Sequence, residues 1–205
     1  MIEMRELGHS GIQTSALGLG CWAIGGGNWG DNDDDVSVAT IRRAVELGVN
    51  WIDTAPAYNF GHSEEVLGKA IKGLPRDKLI ISTKCGLQWY DQGGEYHFTR
   101  DGKDVYRDLS PRAIRRDLEE SLKRLGTDYV DILYTHWQCM TYGKVPVAET
   151  MGTLMDMKKE GKIRAIGASN VTPGIMEEYI AAGQLDVVQE KLSILDRKPE
   201  KELLP

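Results

Sequence analysis

The chain has 205 residues, a hydrophobic fraction of 41%, and 25 Lys and Arg against 31 Asp and Glu, which gives a net charge of -6. This length and composition are typical of one globular domain with a sizeable core, and they exclude a disordered chain. A nucleic-acid-binding protein needs a basic stripe that replaces phosphate counterions, and this net charge is negative. We therefore expect no nucleic acid among the partners.

The N-terminus, MIEMREL, carries charges where a secretory signal needs an apolar run. No stretch approaches the roughly 18 apolar residues of a membrane span. The three cysteines, Cys21, Cys85 and Cys139, are far apart and include no CxxC pair, which predicts reduced thiols and neither disulfides nor a metal site. We expect a cytoplasmic protein that binds no membrane and no metal.

Short apolar runs alternate with amphipathic stretches along the chain. This alternation is typical of parallel strands joined by crossover helices, so it predicts an α/β fold. Ahead of these runs, Met4 to Leu17 predicts a small hairpin that serves as a lid or plug. The predicted parallel strands are Leu17–Trp22, Val49–Asp53, Leu79–Lys84, Val130–Thr135, Ile163–Ala168 and Val187–Leu192.

Helix signals fill the segments between the predicted strands. Ser110 and Pro111 occupy cap and first-turn positions ahead of an apolar stripe that ends before Gly126. Thr172 begins another helix that runs to Gly183. At least five strand-then-helix units follow one another without a linker, which predicts a single domain.

The segment from Leu87 to Leu109 shows no periodicity, although it contains Trp89 and several other aromatic residues. Long structureless segments in compact domains are usually functional or mobile. Two interpretations stay open, a lid over the substrate and a surface loop without a function.

Polar side chains end three consecutive predicted strands. Asp53 closes one strand, with Tyr58 five residues later, Lys84 closes the next and His136 follows the third. Parallel strands end on the same side of a sheet, so these side chains should converge on one face. A nearby ammonium lowers the pKa of a phenol, so we expect Lys84, held by Asp53, to acidify Tyr58. With His136 orienting a carbonyl oxygen, the set predicts Tyr58 as proton donor in carbonyl reduction.

A second polar cluster ends the fifth predicted strand. Ser169 and Asn170 lie there, and Gln189 lies in the otherwise apolar sixth strand. Hydroxyl and amide groups of this kind can bind a carboxamide such as that of nicotinamide. The alternative is that Ser169 and Asn170 form a helix N-cap signal just ahead of Thr172.

The chain resembles the aldo-keto reductase family over its entire length, and within it the bacterial NADH-dependent methylglyoxal reductase type. The resemblance rests on the runs WIDTAPAYNFGHSE, IISTKCG, DYVDILYTHW, GKIRAIGASNV and VVQEKLSILDR. It implies a (β/α)8 TIM barrel, of which about six units are present, and an NADH or NADPH cofactor, with NADH favoured. It also implies reduction of small aldehydes or ketones, with α-oxoaldehydes such as methylglyoxal as candidate substrates.

The matching positions take the roles that the family implies. The catalytic residues implied by the resemblance are Asp53, Tyr58, Lys84 and His136. The implied cofactor-binding residues are Cys21, Trp22, Asp53, Ser169, Asn170 and Gln189. The implied substrate-binding residues are Trp22, Trp89 and Trp137.

Two features depart from the family pattern. Leu192 stands where family members place a tyrosine that stacks on the nicotinamide ring, so apolar contact remains without aromatic stacking. An eight-stranded barrel typically needs about 250 residues, whereas the 205 residues of this chain contain six predicted parallel strands. We therefore expect residues 1–205 to be a single, partial barrel domain of a protein of roughly 300 residues.

Two other functions remain open from the residues alone. The first is a Schiff-base aldolase on a barrel, with Lys84 as nucleophile. The second is a non-catalytic, cofactor-binding regulatory subunit on the same scaffold. The sequence indicates neither the carbonyl substrate nor the oligomeric state.

Overall fold

A computed structural model describes residues 2–90, 92–139 and 145–203. The strands in these ranges are β1 (Met4–Glu6), β2 (Gln13–Ser15), β3 (Gly18–Gly20), β4 (Trp51–Asp53), β5 (Ile80–Cys85), β6 (Leu87–Gln88), β7 (Glu95–Arg100), β8 (Lys103–Arg107), β9 (Val130–Thr135), β10 (Ile163–Ser169) and β11 (Val187–Gln189). The helices are α1 (Asp34–Glu46), α2 (His62–Ile71), α3 (Pro111–Leu125), α4 (Val147–Lys159), α5 (Pro173–Ala182) and α6 (Pro199–Glu202).

Six strands form one parallel sheet in the order β3-β4-β5-β9-β10-β11. Spatial order therefore equals chain order, and each of α1 to α5 lies in the connection between two neighbouring strands. This is the arrangement of successive units in a (β/α)8 barrel, with six of its strands present. The predicted α/β class and the six predicted parallel strands are confirmed.

The sheet buries both faces because successive side chains of a strand point to opposite sides. The face toward the helices includes Ile52, Ile81, Leu133 and Ile166. The opposite, concave face of the sheet includes Ile80, Ile132, Tyr134 and Ala165, and it packs against Leu7 and Ile12 from the segment between β1 and β2. Of the two predicted roles of the N-terminal hairpin, this packing supports the plug.

Helix α3 forms where the sequence predicts it. The Ser110 hydroxyl accepts the N–H of Ala113 at 3.3 Å, Pro111 fills the first turn, and Gly126 ends the helix with a φ of 66°. The apolar stripe of α3 is buried, and each such side chain contributes roughly 2 kcal/mol on burial. Its members are Ile114, Leu118, Leu122 and Leu125.

The expectation of a structureless segment between Leu87 and Leu109 is wrong. β6, β7 and β8 form a three-stranded antiparallel sheet there. Asp101 and Gly102 join β7 to β8 with positive φ values of 49° and 71°, as in the type I′ turns that favour an Asp-Gly pair. The pairing shifts register between Tyr96 and Phe98, and this bulge breaks the alternation that marks a strand.

None of the helices in the described ranges is long and apolar enough to cross a bilayer.

Candidate active site

A cleft of about 480 Å³ opens where the strands of the parallel sheet end. Ligands of parallel α/β sheets and barrels bind at this carboxyl edge, because the loops that follow the strands surround it. Of the residues predicted for the site, the lining includes Trp22, Tyr58, Lys84, His136, Trp137, Ser169, Asn170 and Gln189. The structure therefore brings these predicted site residues together at one edge of the fold.

Lys84 and Asp53 form a buried ion pair at the floor of the cleft. The Lys84 ammonium donates to Asp53 Oδ2 at 2.7 Å and to the Thr54 carbonyl at 2.9 Å. Asp53 Oδ1 accepts the Ser82 hydroxyl at 2.7 Å, which fixes the carboxylate. Burial by itself lowers the pKa of Lys84, but the charge of Asp53, together with Tyr58 and hydrogen bonding to both side chains, outweighs burial and the net pKa is raised. Lys84 is therefore a cation at neutral pH.

Tyr58 lies beside this pair, with its ring centroid 4.9 Å from Lys84 Nζ. The ring stacks on Trp22 at 6.0 Å and meets His136 edge-on at 5.9 Å. The expected lowering of the Tyr58 pKa is wrong, because the net shift is upward. Burial raises the pKa of Tyr58 and Asp53 adds to the rise, while the positive charge of Lys84 opposes it without reversing it. Tyr58 therefore keeps its proton at neutral pH.

The segment after β4 holds Tyr58 in a tight turn. Asn59 and Phe60, which follow Tyr58, have positive φ values of 55° and 52°, a conformation that costs free energy for residues with a side chain. The Asn59 side-chain amide offsets part of that cost by donating a hydrogen bond to the Gly25 carbonyl at 2.9 Å. Gly25 suits this close contact, since a Cβ there would lie 3.0 Å from the Tyr58 carbonyl oxygen and would crowd it.

His136 forms the wall next to Tyr58. Its backbone N–H donates to the Cys85 carbonyl at 2.9 Å, which ties the end of β9 to the end of β5. Its Nδ1 atom is buried and has no hydrogen-bond partner among the described residues. Burial lowers the pKa of His136 well below its ordinary value, and the charge of Lys84 adds to the fall. His136 is therefore neutral and has unused hydrogen-bonding capacity.

The amide cluster lines the cleft at the ends of β10 and β11. Asn170, with a φ of 57°, donates from Nδ2 to the His136 carbonyl at 2.9 Å and to the Ser169 hydroxyl at 3.1 Å. The side-chain amide of Gln189 has no hydrogen-bond partner in the part of the chain that the structure describes. The N-cap alternative does not hold, because Thr172 caps α5 by accepting the N–H of Ile175 at 3.4 Å. Hydroxyl and amide groups here match the donors and acceptors of a carboxamide.

Two predicted site residues lie away from the cleft. Cys21 is completely buried beneath it, and the Cys21 carbonyl accepts the Ser63 hydroxyl at 2.8 Å. Trp89 packs against Phe60 at 5.1 Å and Tyr90 at 4.9 Å, and it is absent from the lining.

Sequence reasoning missed the wall that β7 contributes, which consists of His97, Phe98 and Arg100. The signal that could have found it is the Asp101-Gly102 pair, a strong hairpin indicator. Glu190 and Lys191, directly after β11, were also missed. Within the described ranges, no cluster of three or more His, Cys, Asp or Glu side chains could hold a metal ion.

Comparison with known proteins agrees with this geometry. The chain is 49% identical over 201 residues to the NADH-specific methylglyoxal reductase of Escherichia coli (strain K12), covering 97% of this chain and 61% of that protein. A glycerol dehydrogenase structure from Gluconobacter oxydans superposes with a TM-score of 0.83 at 38% identity, over 100% of this chain and 58% of that one. A Klebsiella pneumoniae aldo-keto reductase in complex with NADPH gives a TM-score of 0.79 at 28% identity, covering 100% and 64%.

The chain thus spans less than two thirds of the length of each of these proteins. Residues 16–205 match the model of the aldo/keto reductase family. The family match, the identity and the superposition agree, and the chain belongs to the aldo/keto reductase family.

Proposed function

We propose that this chain carries the catalytic rim of a nicotinamide-dependent reductase of small aldehydes and ketones. The observation that carries the proposal is the meeting of Tyr58, the Lys84–Asp53 pair and His136 in one cleft. α-Oxoaldehydes such as methylglyoxal are the proposed substrates, and the name of the E. coli relative supports this choice.

The polar residues define where a carbonyl oxygen binds. A protonated Tyr58 and a neutral His136 each offer a hydrogen to that oxygen. As negative charge develops on the oxygen, Tyr58 releases its proton to it. The Lys84 ammonium stabilises the phenolate that remains, and Asp53 holds Lys84 in place. The raised resting pKa of Tyr58 suits this role, because the proton must be present when the substrate arrives.

The amide cluster fits a nicotinamide cofactor. Ser169, Asn170 and Gln189 would bind its carboxamide, and the bound cofactor supplies the hydride. Leu192 is half exposed just beyond β11, which leaves an apolar side chain without an aromatic ring for contact with the nicotinamide. We propose NADH as the cofactor on the strength of the E. coli relative, which is named as NADH-specific.

The Schiff-base alternative is not favoured. A nucleophilic lysine must lose its proton, so it needs a lowered pKa. The pKa of Lys84 is raised by Asp53 and its Nζ makes two hydrogen bonds at 2.7 and 2.9 Å. Borohydride in the presence of an aldehyde, without nicotinamide, should therefore leave Lys84 unmodified.

We also propose a cytoplasmic location for the protein. Cys21, Cys85 and Cys139 are buried, and none of them forms a disulfide with another described residue, as expected in a reducing compartment. Burial raises the pKa of Cys21 to about 12 and that of Cys85 well above its usual value, so neither is a thiolate nucleophile.

The test is oxidation of NADH and of NADPH by the purified protein with a panel of carbonyl compounds that includes methylglyoxal. We expect turnover of small aldehydes, with NADH preferred. Absence of turnover with every carbonyl compound and both cofactors would contradict the proposal and leave the regulatory, cofactor-binding subunit as the better interpretation.

A further inference from the structure

The β7 wall of the cleft, which consists of His97, Phe98 and Arg100, exists because β7 is bulged. In a regular strand, the consecutive residues His97 and Phe98 would face opposite sides. The register shift between Tyr96 and Phe98 turns both toward the cleft. Tyr96 and Thr99 stay on the other side, where their hydroxyls lie 2.9 Å apart. Arg100 then follows Phe98 into the cleft.

The guanidinium of Arg100 has neither an ion pair nor a hydrogen bond within the described ranges. The other cations of the lining have carboxylate partners. Lys84 is bound to Asp53 at 2.7 Å. Lys191 is bound to Asp196 at 3.1 Å. Arg100 thus supplies positive charge to the cleft that no described carboxylate neutralises.

Arg100 is also held in position. It is the last residue of β7 and directly precedes the two-residue turn of Asp101 and Gly102. Its Cζ lies 5.2 Å from the centre of the Phe98 ring, which covers one side of the guanidinium. A charged group that is already placed loses less conformational freedom when it binds a ligand.

His97 adds a neutral donor beside this charge. Arg107 donates to His97 Nδ1 at 3.1 Å from Nε, so in the neutral ring the hydrogen is on Nε2. Burial and the charge of Arg107 lower the pKa of His97, which keeps the ring neutral at pH 7. The charge of Arg107 itself is met by Glu95 at 3.5 Å. The β7 wall therefore offers one free cation and one hydrogen-bond donor.

The carboxylate in the lining, Glu190, is already engaged. It accepts the backbone N–H of Val171 at 2.6 Å, at the β10 and β11 side of the cleft. The free charge that faces a ligand at the β7 side is thus that of Arg100. An arginine fork matches the oxygens of a carboxylate or a phosphate, and such charged hydrogen bonds are strong.

We infer that the β7 wall binds an anionic group where the substrate has one, so that besides uncharged α-oxoaldehydes this reductase takes aldehydes that carry a carboxylate or a phosphate. The inference rests on the proposed function, because the same cleft must bring the carbonyl carbon to Tyr58. The amide cluster belongs to the ends of β10 and β11 and is proposed to bind the cofactor, which leaves the β7 side to the substrate.

The test compares a charged and an uncharged aldehyde of similar length, succinic semialdehyde and butanal, with NADH as reductant. We expect Arg100→Ala to lower the ratio of their kcat/KM values about 10- to 100-fold. The loss should lie in the KM for succinic semialdehyde, because Arg100 binds a part of the substrate that does not react. Arg100→Lys should restore part of the ratio.

The matched control is Lys103→Ala. Lys103 pairs with Arg100 across the same hairpin, but its ammonium lies 4.6 Å from the Phe60 ring and it is absent from the cleft lining. This variant should keep the ratio of the unmodified protein. Glyceraldehyde 3-phosphate against glyceraldehyde separates phosphate from carboxylate, since the anion that is recognised shows the larger Arg100-dependent ratio.

Three outcomes overturn the inference. The first is a ratio that Arg100→Ala leaves unchanged for both anions. The second is an equal fall in Lys103→Ala, which would indicate general electrostatic attraction. The third is a rise in the KM for NADH instead of the aldehyde, which would assign Arg100 to a phosphate of the cofactor.

Failure of the proposed function gives a different result, namely no turnover of any aldehyde. Anion binding is then measured directly, by quenching of tryptophan fluorescence with succinate and with inorganic phosphate, because Trp22 and Trp137 line the cleft. Quenching that Arg100→Ala abolishes supports an anion site at the β7 wall. Absence of Arg100-dependent quenching overturns it.

Discussion

Two buried ion pairs lie on opposite faces of the parallel sheet, and they differ in what surrounds them. Lys84 and Asp53 meet at 2.7 Å on the cleft side, and Arg124 and Glu64 meet at 2.7 Å between the sheet and its helices. Glu64 is completely buried, and its second oxygen accepts the Thr83 hydroxyl at 2.6 Å. The helix-side pair is therefore fully hydrogen bonded.

The cleft-side pair lies in an open cleft next to a side chain whose hydrogen bonding is incomplete. Tyr58 lies beside Lys84 in the open cleft, and His136 Nδ1 is buried without a partner among the described residues. An unpaired buried polar atom costs about 1–3 kcal/mol, so a fold retains one mainly where a ligand completes it. A buried ion pair alone is thus a poor guide to a site, whereas an ion pair beside unsatisfied polar groups in a cleft is a good one.

The largest effect should come from removing one hydroxyl on the cleft side. Tyr58→Phe deletes the proposed proton donor and keeps the ring, so we expect kcat for an aldehyde to fall about 10²- to 10⁴-fold with NADH binding nearly intact. The matched control is Tyr90→Phe, since the Tyr90 hydroxyl accepts from Arg124 at 3.4 Å on the helix side. Its kcat should stay close to that of the unmodified protein. Equal kcat values in both variants would remove Tyr58 from the acid role.

Breaking the helix-side pair should cost stability instead of turnover. Arg124→Met leaves Glu64 charged, buried and unpaired, which lowers the free energy of unfolding by about 3–5 kcal/mol. Urea denaturation measures this loss. Arg124→Lys, which keeps the charge, should lose less and provides a folded variant for kinetics. A larger fall in kcat for Arg124→Lys than for Lys84→Met would contradict the division of roles.

The helix-side region should also make stability depend on pH. Burial raises the pKa of Asp117 to about 8, Glu64 and Asp108 add to the rise, and the Gly86 N–H and Arg124 oppose it. The unfolded carboxyl titrates near 4, so the folded protein holds an extra proton between these values and its stability falls as pH rises through that window.

The variant Asp117→Asn removes this titration while keeping an oxygen for the Gly86 N–H, which now donates to Asp117 Oδ2 at 2.7 Å. The free energy of unfolding, measured in urea at about pH 5 and pH 8, should fall less in the variant than in the unmodified protein. Equal falls in both proteins would show that Asp117 is ionised throughout this range.

The smallest expected effect is that of pH on kcat/KM, because the cleft-side groups do not titrate near neutrality. The pKa of His136 is lowered well below its ordinary 6.5 and that of Tyr58 is raised above 10, so neither changes charge near neutrality. We therefore expect kcat/KM to be nearly constant between about pH 6 and pH 8. A sigmoidal step centred near the ordinary histidine pKa would show that His136 is not the buried, neutral group described.

Strand ends were the most informative part of the sequence. Asp53, Lys84 and His136 were found because parallel strands end on one side, and the fold confirms that they line or support one cleft. The sign of the Tyr58 pKa shift was not predictable in this way. The motif predicts a positive charge beside the Tyr58 phenol. The burial that raises its pKa depends on residues from several distant segments, which the motif does not show.

The sequence did not predict the β7 wall, for a different reason. Alternation of side chains is the signal for a strand, and the bulge between Tyr96 and Phe98 removes it by turning two consecutive residues toward the cleft. Trp89 shows the converse error, because an aromatic residue in a segment without periodicity suggested substrate contact, whereas its ring packs on Phe60 and Tyr90.

The most direct measurement is the ionisation of the Tyr58 hydroxyl, followed by NMR of its labelled ring carbon during a pH titration of the unmodified protein and of Lys84→Met. In the unmodified protein the pKa should lie above the ordinary value of 10, and loss of the ammonium 4.9 Å from the ring should raise it further. An unchanged or lower pKa in Lys84→Met would show that Lys84 does not stabilise the phenolate.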